Sequence, residues 1–281
     1  MLSGKGDEVR ISDGDSAAIV DSTGAWIRKL VLNREEILKE STDGKATHGG
    51  ACSLIPFAGR VRNATYSVDD ELYTLPRNDG NNSIHGFTRN ALFSFVPGNS
   101  TGDAAFHAIA ANIGYPSSLD VTITMHIESA RFTAGYAVKN AGAKRAPLVI
   151  GCHPYFLCKR PWKLFHEEHL ERLVMTDTYF PDGTTKTADF NTVQDMGSTA
   201  FDDCFRGGGM LTIRDDETEI RLKRNNMDYF LLYNGRYCEN ASVAIEPMTG
   251  APDAFNNGIG LRMLDPGETF GCSFEIELRK R

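Results

Sequence analysis

Two polar stretches contain residues suited to proton transfer. "GCHPYFLC" holds His153 between a cysteine and a proline, and "AIEPMTGAPDAFN" holds Glu246 just after an apolar run. An imidazole titrates near neutral pH and can give up a proton, while an ionised carboxylate can accept one. Each could instead be structural, as a histidine bonded to a backbone carbonyl or a glutamate in a satisfied salt bridge. Acid/base catalysis is therefore one hypothesis for this pair.

Further polar side chains stand in apolar or glycine-rich surroundings: His85, Arg60, Arg62, Arg89, Asp202 and Asp203. The histidine lies in a loop before a glycine, where backbone can approach a ligand closely. The arginines offer planar donor forks for sugar hydroxyls, carboxylates or phosphates. The paired aspartates could contact a ligand or could simply mark a turn.

A metal site is also conceivable, because cysteines and histidines cluster between Cys152 and His169. The segment "HEEH" is similar to the helix of a zinc protease, but His166 and His169 are three residues apart, whereas that motif needs four. We therefore expect no metal and no cofactor. The six cysteines, scattered through 281 residues, are expected to be reduced and mostly buried.

Composition restricts the classes of partner. The net charge is -7, with 37 acidic and 30 basic residues, so no basic field favours nucleic acid or a membrane surface. The N-terminal stretch lacks the apolar core of a secretory signal, and no apolar run is long enough to span a membrane. We expect a cytoplasmic protein that binds a small polar molecule. The oligomeric state is not readable from the sequence.

Alternation with period two dominates the chain. "SLDVTITMHIES" and "TFGCSFEIELRK" alternate apolar and polar residues, as half-buried strands do. Shorter strand candidates include "SAAIVD", "AWIRKLVLN", "FTAGYAVKN", "MLTIR", "EIRLKR" and "YFLLYN". "IRDDETEIRL" predicts a hairpin with an acidic turn at 215–218, and "KLFHEEHLERL" is the main candidate for a short helix. Many strands with few helices predict antiparallel sheets packed face to face.

Taken in order, the motifs resemble the aldose 1-epimerase (galactose mutarotase-like) family. "GRVRNATYSVDDELYTLPRNDGNNSIHGF" is followed by "GYPSSLDVTITMHI", "HPYF", "FDDCF", "AIEPMTGAPDAFN" and "LDPGETFGCSFEIEL", a series that covers nearly the whole chain. The resemblance implies an all-β fold, a large antiparallel β-sandwich of the galactose mutarotase-like supersandwich type, forming a single domain over residues 1–281. It also implies an isomerase that interconverts the α and β anomers of a hexose.

The resemblance further implies roles for individual residues. His153 matches the family's general acid, Glu246 its general base, and His85 a second histidine near the ring oxygen. Arg60 and Asp202 match residues that bind sugar hydroxyls. The nearby carboxylate is expected to hold the imidazole proton more firmly.

This sequence departs from the family pattern in three places. Gly59 stands where the family has asparagine, which leaves the choice between Arg60 and Arg62 open. The aspartate is doubled, so Asp203 rivals Asp202. "HGFTRN" is closer to the family's hexose-6-phosphate epimerase branch than to the galactose mutarotases.

Three alternative functions follow from these departures and from the residues themselves. The first is a hexose-6-phosphate 1-epimerase, in which Arg89 and Arg62 grip the phosphate of a sugar phosphate. The second is a sugar-binding protein without catalysis, and the third is a glycosidase that uses Glu246 and Asp202.

Overall fold

Antiparallel strands make up most of the molecule, as the alternating sequence predicts. The computed structural model describes residues 6–176, 179–239 and 241–280. In chain order the first strands are β1 Glu8–Asp13, β2 Ser16–Asp21, β3 Trp26–Leu32, β4 Glu35–Glu36, β5 Ala51–Leu54, β6 Arg60–Val61, β7 Thr65–Val68, β8 Glu71–Thr74, β9 Ser83–Ile84, β10 Ser94–Pro97, β11 Asp103–Ala111, β12 Ser118–Glu128 and β13 Arg131–Asn140. They continue with β14 Ala146–Leu148, β15 Gly151–Leu157, β16 Lys163–His166, β17 Leu170–Met175, β18 Pro181–Ala188, β19 Asp202–Arg206, β20 Met210–Arg214, β21 Thr218–Asn225, β22 Tyr229–Tyr233, β23 Ser242–Met248, β24 Arg262–Leu264 and β25 Thr269–Lys280.

Helical segments are few and short. One turn of α-helix, α1, covers Ala254–Asn257, and 3₁₀ turns cover Arg62–Ala64, Thr88–Asn90, Met196–Ser198 and Arg236–Cys238. Within the described ranges, no helix has the length and apolar character needed to cross a membrane. The all-β prediction with few short helices is confirmed.

Two large sheets form the body of the fold. The larger has 11 strands in the order β1-β2-β3-β5-β15-β23-β22-β19-β17-β18, with β4 paired to β3. The smaller has eight strands in the order β10-β11-β12-β13-β25-β21-β20-β16. Small two-stranded sheets, β6 with β9, β7 with β8 and β14 with β24, lie beside them. The predicted face-to-face antiparallel architecture is therefore observed.

A large apolar core joins the inner faces of the two sheets. On β23, Val243 and Ile245 belong to this core together with Phe132 and Phe274 of the smaller sheet. The alternate residues of β23 face the other way, yet all seven residues of the strand are buried. The larger sheet is therefore covered on both faces in this region, and its outer face can hold an enclosed site.

The predicted hairpin at 215–218 is present between β20 and β21, where the Asp215 carboxylate accepts hydrogen bonds from the backbone N–H groups of Glu217 and Thr218. All six cysteines are buried and unpaired, as expected: Cys52, Cys152, Cys158, Cys204, Cys238 and Cys272.

The prediction of a helix in "KLFHEEHLERL" is wrong. The segment forms β16 in the smaller sheet and β17 in the larger sheet, joined by a turn. Leu170 belongs to the core between the sheets, whereas Leu173 belongs to the apolar cluster on the opposite face. Their three-residue spacing imitates a helical face because this strand is buried on both sides.

Candidate active site

Two rows of side chains on the outer face of the larger sheet form the floor of the candidate site. Side chains on a strand alternate between faces, and directly paired residues of neighbouring strands stand side by side. The cross-strand register gives one row made of Cys52, His153, Glu246, Leu231 and Cys204. Two residues further along the strands, the next row is Tyr155, Ala244, Tyr233 and Asp202.

His153 and Glu246 meet at the centre of the first row. Gly151 pairs with Met248 and Tyr155 with Ala244, so the register between them sets the imidazole opposite the carboxylate. The His153 Nε2 atom lies 3.2 Å from Glu246 Oε1. The two residues are only 5% and 2% exposed. The ring of Tyr155 stacks on the imidazole, with centroids 4.7 Å apart, and fixes its orientation.

His85 enters the site from the loop after β9. Its backbone has a positive φ of 61°, and its N–H donates to the Gly59 carbonyl at 3.0 Å. A positive φ is uncommon for a residue with a side chain and destabilises the backbone. The rest of the loop must therefore hold His85 in this conformation. The His85 ring meets the His153 ring edge to face, with centroids 5.3 Å apart. Sequence positions 85 and 153 are thereby brought into contact.

Gly86 allows this loop to press against the sheet. Its φ is +62°, and a Cβ atom there would lie 2.2 Å from the Ile55 carbonyl oxygen. We expect Gly86→Ala to lower the free energy of unfolding by about 1 to 3 kcal/mol more than Gly14→Ala, which is the usual cost of overpacking. Gly14 is a matched control because it also has a positive φ, of +53°, but has no atom close to the added Cβ. Chemical denaturation would measure the difference, and equal losses would contradict the steric explanation.

Three buried polar atoms at this point have no hydrogen-bond partner. They are His153 Nδ1, His85 Nδ1 and Glu246 Oε2; in the described part of the chain, one other such side-chain atom, Arg224 Nε, is found elsewhere. Leaving a buried polar group unsatisfied costs about 1 to 3 kcal/mol, so a protein rarely does so three times in one place. All three residues line a cavity of about 570 Å³. The unsatisfied atoms thus belong to residues that line one cavity, which marks it as the candidate site.

Burial controls the protonation of the pair. It raises the pKa of Glu246 well above its usual value, because the ionised form is desolvated; the charge of Asp202 adds to the shift and that of Arg60 opposes it. Burial also lowers the pKa of His153. The expectation that the carboxylate would hold the imidazole proton more firmly is therefore wrong. Desolvation favours the uncharged form of both groups.

His85 is also held neutral. Part of the residue is accessible, but the pKa of its imidazole is lowered well below the ordinary value, mainly by burial, and the neighbouring residues His153, Arg89 and Arg60 add to the shift. The pKa of Asp202 is raised, mainly by burial. Burial at the floor of the cavity thus favours the uncharged form of these titratable groups.

The structure separates the two arginines between which the sequence could not choose. Arg60 lines the cavity, donates from Nε to Asp79 Oδ2 at 2.6 Å and lies over the ring of Tyr179. Arg62 is absent from the lining; its Nε contacts Asp253 Oδ2 at 3.3 Å, and its guanidinium lies over a phenylalanine ring. Of the two, Arg60 is therefore the one placed to meet a ligand.

The two aspartates separate in the same way. Asp202 lines the cavity, while the Asp203 carboxylate accepts from Arg172 Nη2 at 2.7 Å and Nε at 3.1 Å. Because neighbouring residues of a strand point to opposite faces, only one of the pair can face the site floor. The doubling does not provide two equivalent ligands.

Arg89 lines the cavity, but part of its guanidinium group already makes hydrogen bonds to the backbone. Its Nη1 atom donates to the carbonyl oxygens of Ile84, His85 and Gly86 at 2.6, 3.1 and 3.1 Å. This end of the guanidinium holds the histidine loop in place. The arrangement gives Arg89 a positioning role in addition to any contact with a ligand.

Several lining residues were not predicted from the sequence: Lys45, Thr47, His48, Tyr155, Tyr179, Tyr233 and Tyr237. The loop before β5 contributes the first three and is tied to the floor by the Tyr155 hydroxyl, which donates to the Thr47 carbonyl at 2.8 Å. His48 stacks on Tyr237 with ring centroids 3.6 Å apart. Period-two alternation could have found Tyr155 and Tyr233, since each lies two residues from a floor position, but no local signal marks the loop residues.

The cysteine and histidine segment does not gather into a metal site. In residues 6–176, 179–239 and 241–280, no group of three or more His, Cys, Asp or Glu side chains is arranged to hold a metal ion. His166 instead contacts the Glu168 carbonyl oxygen through Nδ1 and Asp189 through Nε2.

Comparison with known proteins identifies the family. A family model described as aldose 1-epimerase matches residues 7–277. Among curated proteins, an uncharacterized Escherichia coli protein, YihR, is 24% identical over 292 residues, covering 96% of this chain and 93% of the relative.

Solved structures share the fold. A galactose mutarotase-like protein from Clostridium acetobutylicum superposes with a TM-score of 0.86 at 16% identity, covering 97% of this chain and 95% of that one. A galactose 1-epimerase from Lactobacillus acidophilus superposes with a TM-score of 0.77 at 18% identity, covering 96% and 92%. The predicted galactose mutarotase-like sandwich is thus confirmed.

Proposed function

Because the chain belongs to the aldose 1-epimerase family, we propose that it is an isomerase that interconverts the α and β anomers of a hexose by acid/base ring opening. The observation that carries the proposal is the approach of His153 Nε2 to Glu246 Oε1, 3.2 Å apart, in a cavity that both residues and His85 line. A hexopyranose carries the C1 hydroxyl and the ring oxygen on which such a pair could act.

The reaction moves two protons and needs no electron transfer. Glu246 takes the proton of the C1 hydroxyl while His153 gives a proton to the ring oxygen, and the C1–O5 bond breaks. The aldehyde turns about the C1–C2 bond, and the same steps in reverse close the ring on its other face. Each positioned group contributes about 10²- to 10⁴-fold to the rate. The pair ends with the protons it began with, so no cofactor is required to reset it.

Burial assists the difficult half of this cycle. The pair of Glu246 and His153 acts on the closed sugar as an ion pair, with an ionised carboxylate and a protonated imidazole. Once the ring has opened, both groups are uncharged. The two forms of the pair carry the same number of protons. Desolvation favours the uncharged pair, as the raised pKa of Glu246 and the lowered pKa of His153 indicate. The step from the ion pair with the closed sugar to the uncharged pair with the open aldehyde is therefore favoured, after one proton has moved from Glu246 to His153 to form the ion pair.

The other cavity residues orient the sugar. Arg60, held by Asp79, and Asp202 offer a donor fork and an acceptor for hydroxyl groups. His85 is the second histidine beside the ring oxygen, and its edge-to-face contact keeps the His153 ring from turning. Arg89 supports that loop through the three carbonyl groups it binds.

The pH dependence of kcat/KM should reflect the buried pair. With ordinary pKa values, the active pair would lose its imidazole proton above about pH 6.5. Burial lowers the pKa of His153 and raises that of Glu246, so the pair keeps one mobile proton on both sides of this pH. After subtraction of the uncatalysed rate, we expect no inflection near pH 6.5 in a profile from about pH 5 to 8. A fall in kcat/KM centred near pH 6.5 would contradict this.

One-dimensional NMR of anomer exchange tests the proposal directly. Glucose, galactose and their 6-phosphates would each be mixed as a single anomer with micromolar protein. The proposal predicts rapid exchange of at least one of them. Binding with exchange at the uncatalysed rate would identify a non-catalytic sugar-binding protein, and release of reducing sugar from a glycoside would identify a glycosidase.

The hexose-6-phosphate epimerase remains the second candidate. The cationic groups Lys45, Arg60 and Arg89 in the cavity lining favour it. Two observations count against it. Arg62 forms an ion pair with Asp253 and does not line the cavity, and one end of the Arg89 guanidinium already donates to backbone carbonyl groups. Exchange of the 6-phosphates alone would select this candidate.

A further inference from the structure

A histidine that the proposed mechanism does not use lines the candidate site. His48 comes from the loop between β4 and β5, and its ring stacks on Tyr237 with planes 14° apart. Its Nδ1 atom lies 2.8 Å from Asp43 Oδ2. Nε2 is the remaining polar atom of the side chain, and in the described part of the chain it has no hydrogen-bond partner. The side chain is 15% exposed, which leaves this nitrogen open to a ligand.

The backbone is fixed on both sides of His48. The Tyr155 hydroxyl donates to the Thr47 carbonyl at 2.8 Å, and Trp26 Nε1 donates to the Gly49 carbonyl at 3.0 Å. A side chain that is already held by stacking and by hydrogen bonds loses little rotamer freedom when a ligand binds. The loop therefore presents the imidazole to the cavity in a preorganised position.

Asp43 determines which ring nitrogen carries a hydrogen. Its Oδ1 atom also accepts from the Lys45 backbone N–H and from the Ser41 hydroxyl, each at 3.1 Å. These bonds, and above all the bond with His48, lower the pKa of Asp43 to about 2. The carboxylate is thus ionised at neutral pH and binds the hydrogen on Nδ1. In the uncharged imidazole, Nε2 then carries a lone pair and accepts a hydrogen bond, which a sugar hydroxyl can donate.

The His85 loop stands on one side of the catalytic pair. Two positions before His153 on β15 is Gly151, where a Cβ atom would lie 2.7 Å from the Cβ atom of Ala58. The next residue, Gly59, accepts the backbone hydrogen bond of His85. The wall that carries His85 therefore covers the row of side chains on this side of His153.

The His48 loop stands on the other side. Two positions after the catalytic histidine on β15 is Tyr155, which pairs with Ala244 and holds the carbonyl group before His48. Tyr237, on which His48 stacks, packs against both of these residues. A sugar bound at the catalytic pair therefore has His85 on one side and His48 on the other.

From this position and the open Nε2 atom, we propose that His48 is a specificity-determining residue whose Nε2 accepts a hydrogen bond from one sugar hydroxyl, and that Asp43 is its positioning residue. This inference rests on the proposed function, which places a hexose on His153 and Glu246. The hydroxyl is one of those on C2, C3, C4 and C6, because Glu246 takes the proton of the C1 hydroxyl.

Removing the histidine and the hydroxyl in turn tests this contact. His48→Phe keeps an aromatic ring for the stack on Tyr237 but has no nitrogen. The value of kcat/KM for anomer exchange is measured in both proteins for glucose, galactose and their 2-, 3-, 4- and 6-deoxy analogues. We expect the variant to lose roughly 3- to 10-fold on the parent sugar, as one hydrogen bond would give, and almost nothing on the one analogue that lacks the bonded hydroxyl.

Asp43→Asn tests the positioning role. The amide can donate to Nδ1 and so leave the hydrogen on Nε2, which then no longer accepts from a hydroxyl. We expect a severalfold loss with the same hydroxyl dependence as in His48→Phe, and wild-type values would contradict the role given to Asp43. His126→Phe is the matched control and should leave kcat/KM unchanged. His126 Nδ1 lies 2.6 Å from Asp103 Oδ1 in an equivalent pair, but on the exposed face of β12.

Binding separates failure of this contact from failure of the proposed function. Methyl glycosides of the same sugars and deoxy analogues cannot open their rings, so saturation-transfer NMR titrations of them report affinity without catalysis. A loss of affinity in His48→Phe that spares one deoxy glycoside supports the contact even if no anomer exchange is catalysed. An equal loss for every sugar, as a purely structural role would give, or no loss for any, would overturn it.

Discussion

Glu246→Gln is expected to lower the catalysed anomer-exchange rate about 10²- to 10⁴-fold, because glutamine cannot take the proton of the C1 hydroxyl. The amide has the size of the carboxylate and can still bond to His153 Nε2, which lies 3.2 Å from Glu246 Oε1. Sugar binding, measured by saturation-transfer NMR, should change little because Arg60 and Asp202 are untouched.

The same substitution should not destabilise the protein at neutral pH. The folded-state pKa of Glu246 is raised above its unfolded value, so its contribution to stability is fully present below the unfolded pKa and is lost as pH rises through the folded pKa. Glutamine has no such loss, and the variant should gain stability over wild type as pH increases. Glu128→Gln, an exposed glutamate on β12, is the matched control for both rate and stability. A Glu246→Gln variant that keeps the wild-type rate would rule out this residue as the base.

His153→Gln should also reduce the catalysed rate by about 10²- to 10⁴-fold, since the amide does not titrate and cannot protonate the ring oxygen. The side chain keeps approximate volume beside Tyr155, whose ring stacks on the imidazole. The measurement is NMR anomer exchange, with kcat and KM determined separately. The loss should lie in kcat.

Stability of the His153 variant should differ from wild type at acid pH. Burial lowers the folded-state pKa of His153, so the unfolded chain binds a proton that the folded chain excludes. Wild-type stability therefore falls as pH decreases below the ordinary imidazole pKa of about 6.5, toward the lowered value. His153→Gln removes this part of the acid sensitivity. His107→Gln, on the accessible face of β11, serves as the control; if the two variants responded alike to acid, burial of His153 would not be the cause.

The fold was largely predictable because the smaller sheet has one buried face. Strands such as β12 and β25 alternate buried and accessible residues along their length, and the sequence shows this pattern directly. Prediction failed at β17, where both faces are covered and the apolar spacing no longer reports the period of a strand. The cause is tertiary packing, which no local propensity records.

The candidate site was predictable residue by residue only where a motif marked it. His153, Glu246, His85, Arg60, Asp202 and Arg89 all line one cavity, although they come from separate parts of the sequence. The choice of Asp202 over Asp203 follows from strand alternation once the register sets Asp202 beside Tyr233, which also lines the cavity. The loop that carries Lys45 and His48 could not be placed, because a hydrogen bond from Tyr155 more than a hundred positions away holds it.

Electrostatics differed most from expectation. From sequence, a carboxylate beside an imidazole suggests a stabilised ion pair. The structure shows the reverse: both groups are almost completely buried, and burial lowers the pKa of His153 and raises that of Glu246. The degree of burial depends on the covering loops, so it could not be derived from the motifs.

The central claim is that His153 and Glu246 act on one sugar as a single proton-transfer unit, and a double-mutant cycle tests it most directly. Anomer exchange would be measured by NMR for wild type, His153→Gln, Glu246→Gln and the double variant on the same hexose. Residues that act as a unit lose their shared contribution when either is removed. We predict that the double variant is no slower than the slower single variant. Losses that multiply in the double variant, or wild-type exchange in either single variant, would contradict the claim.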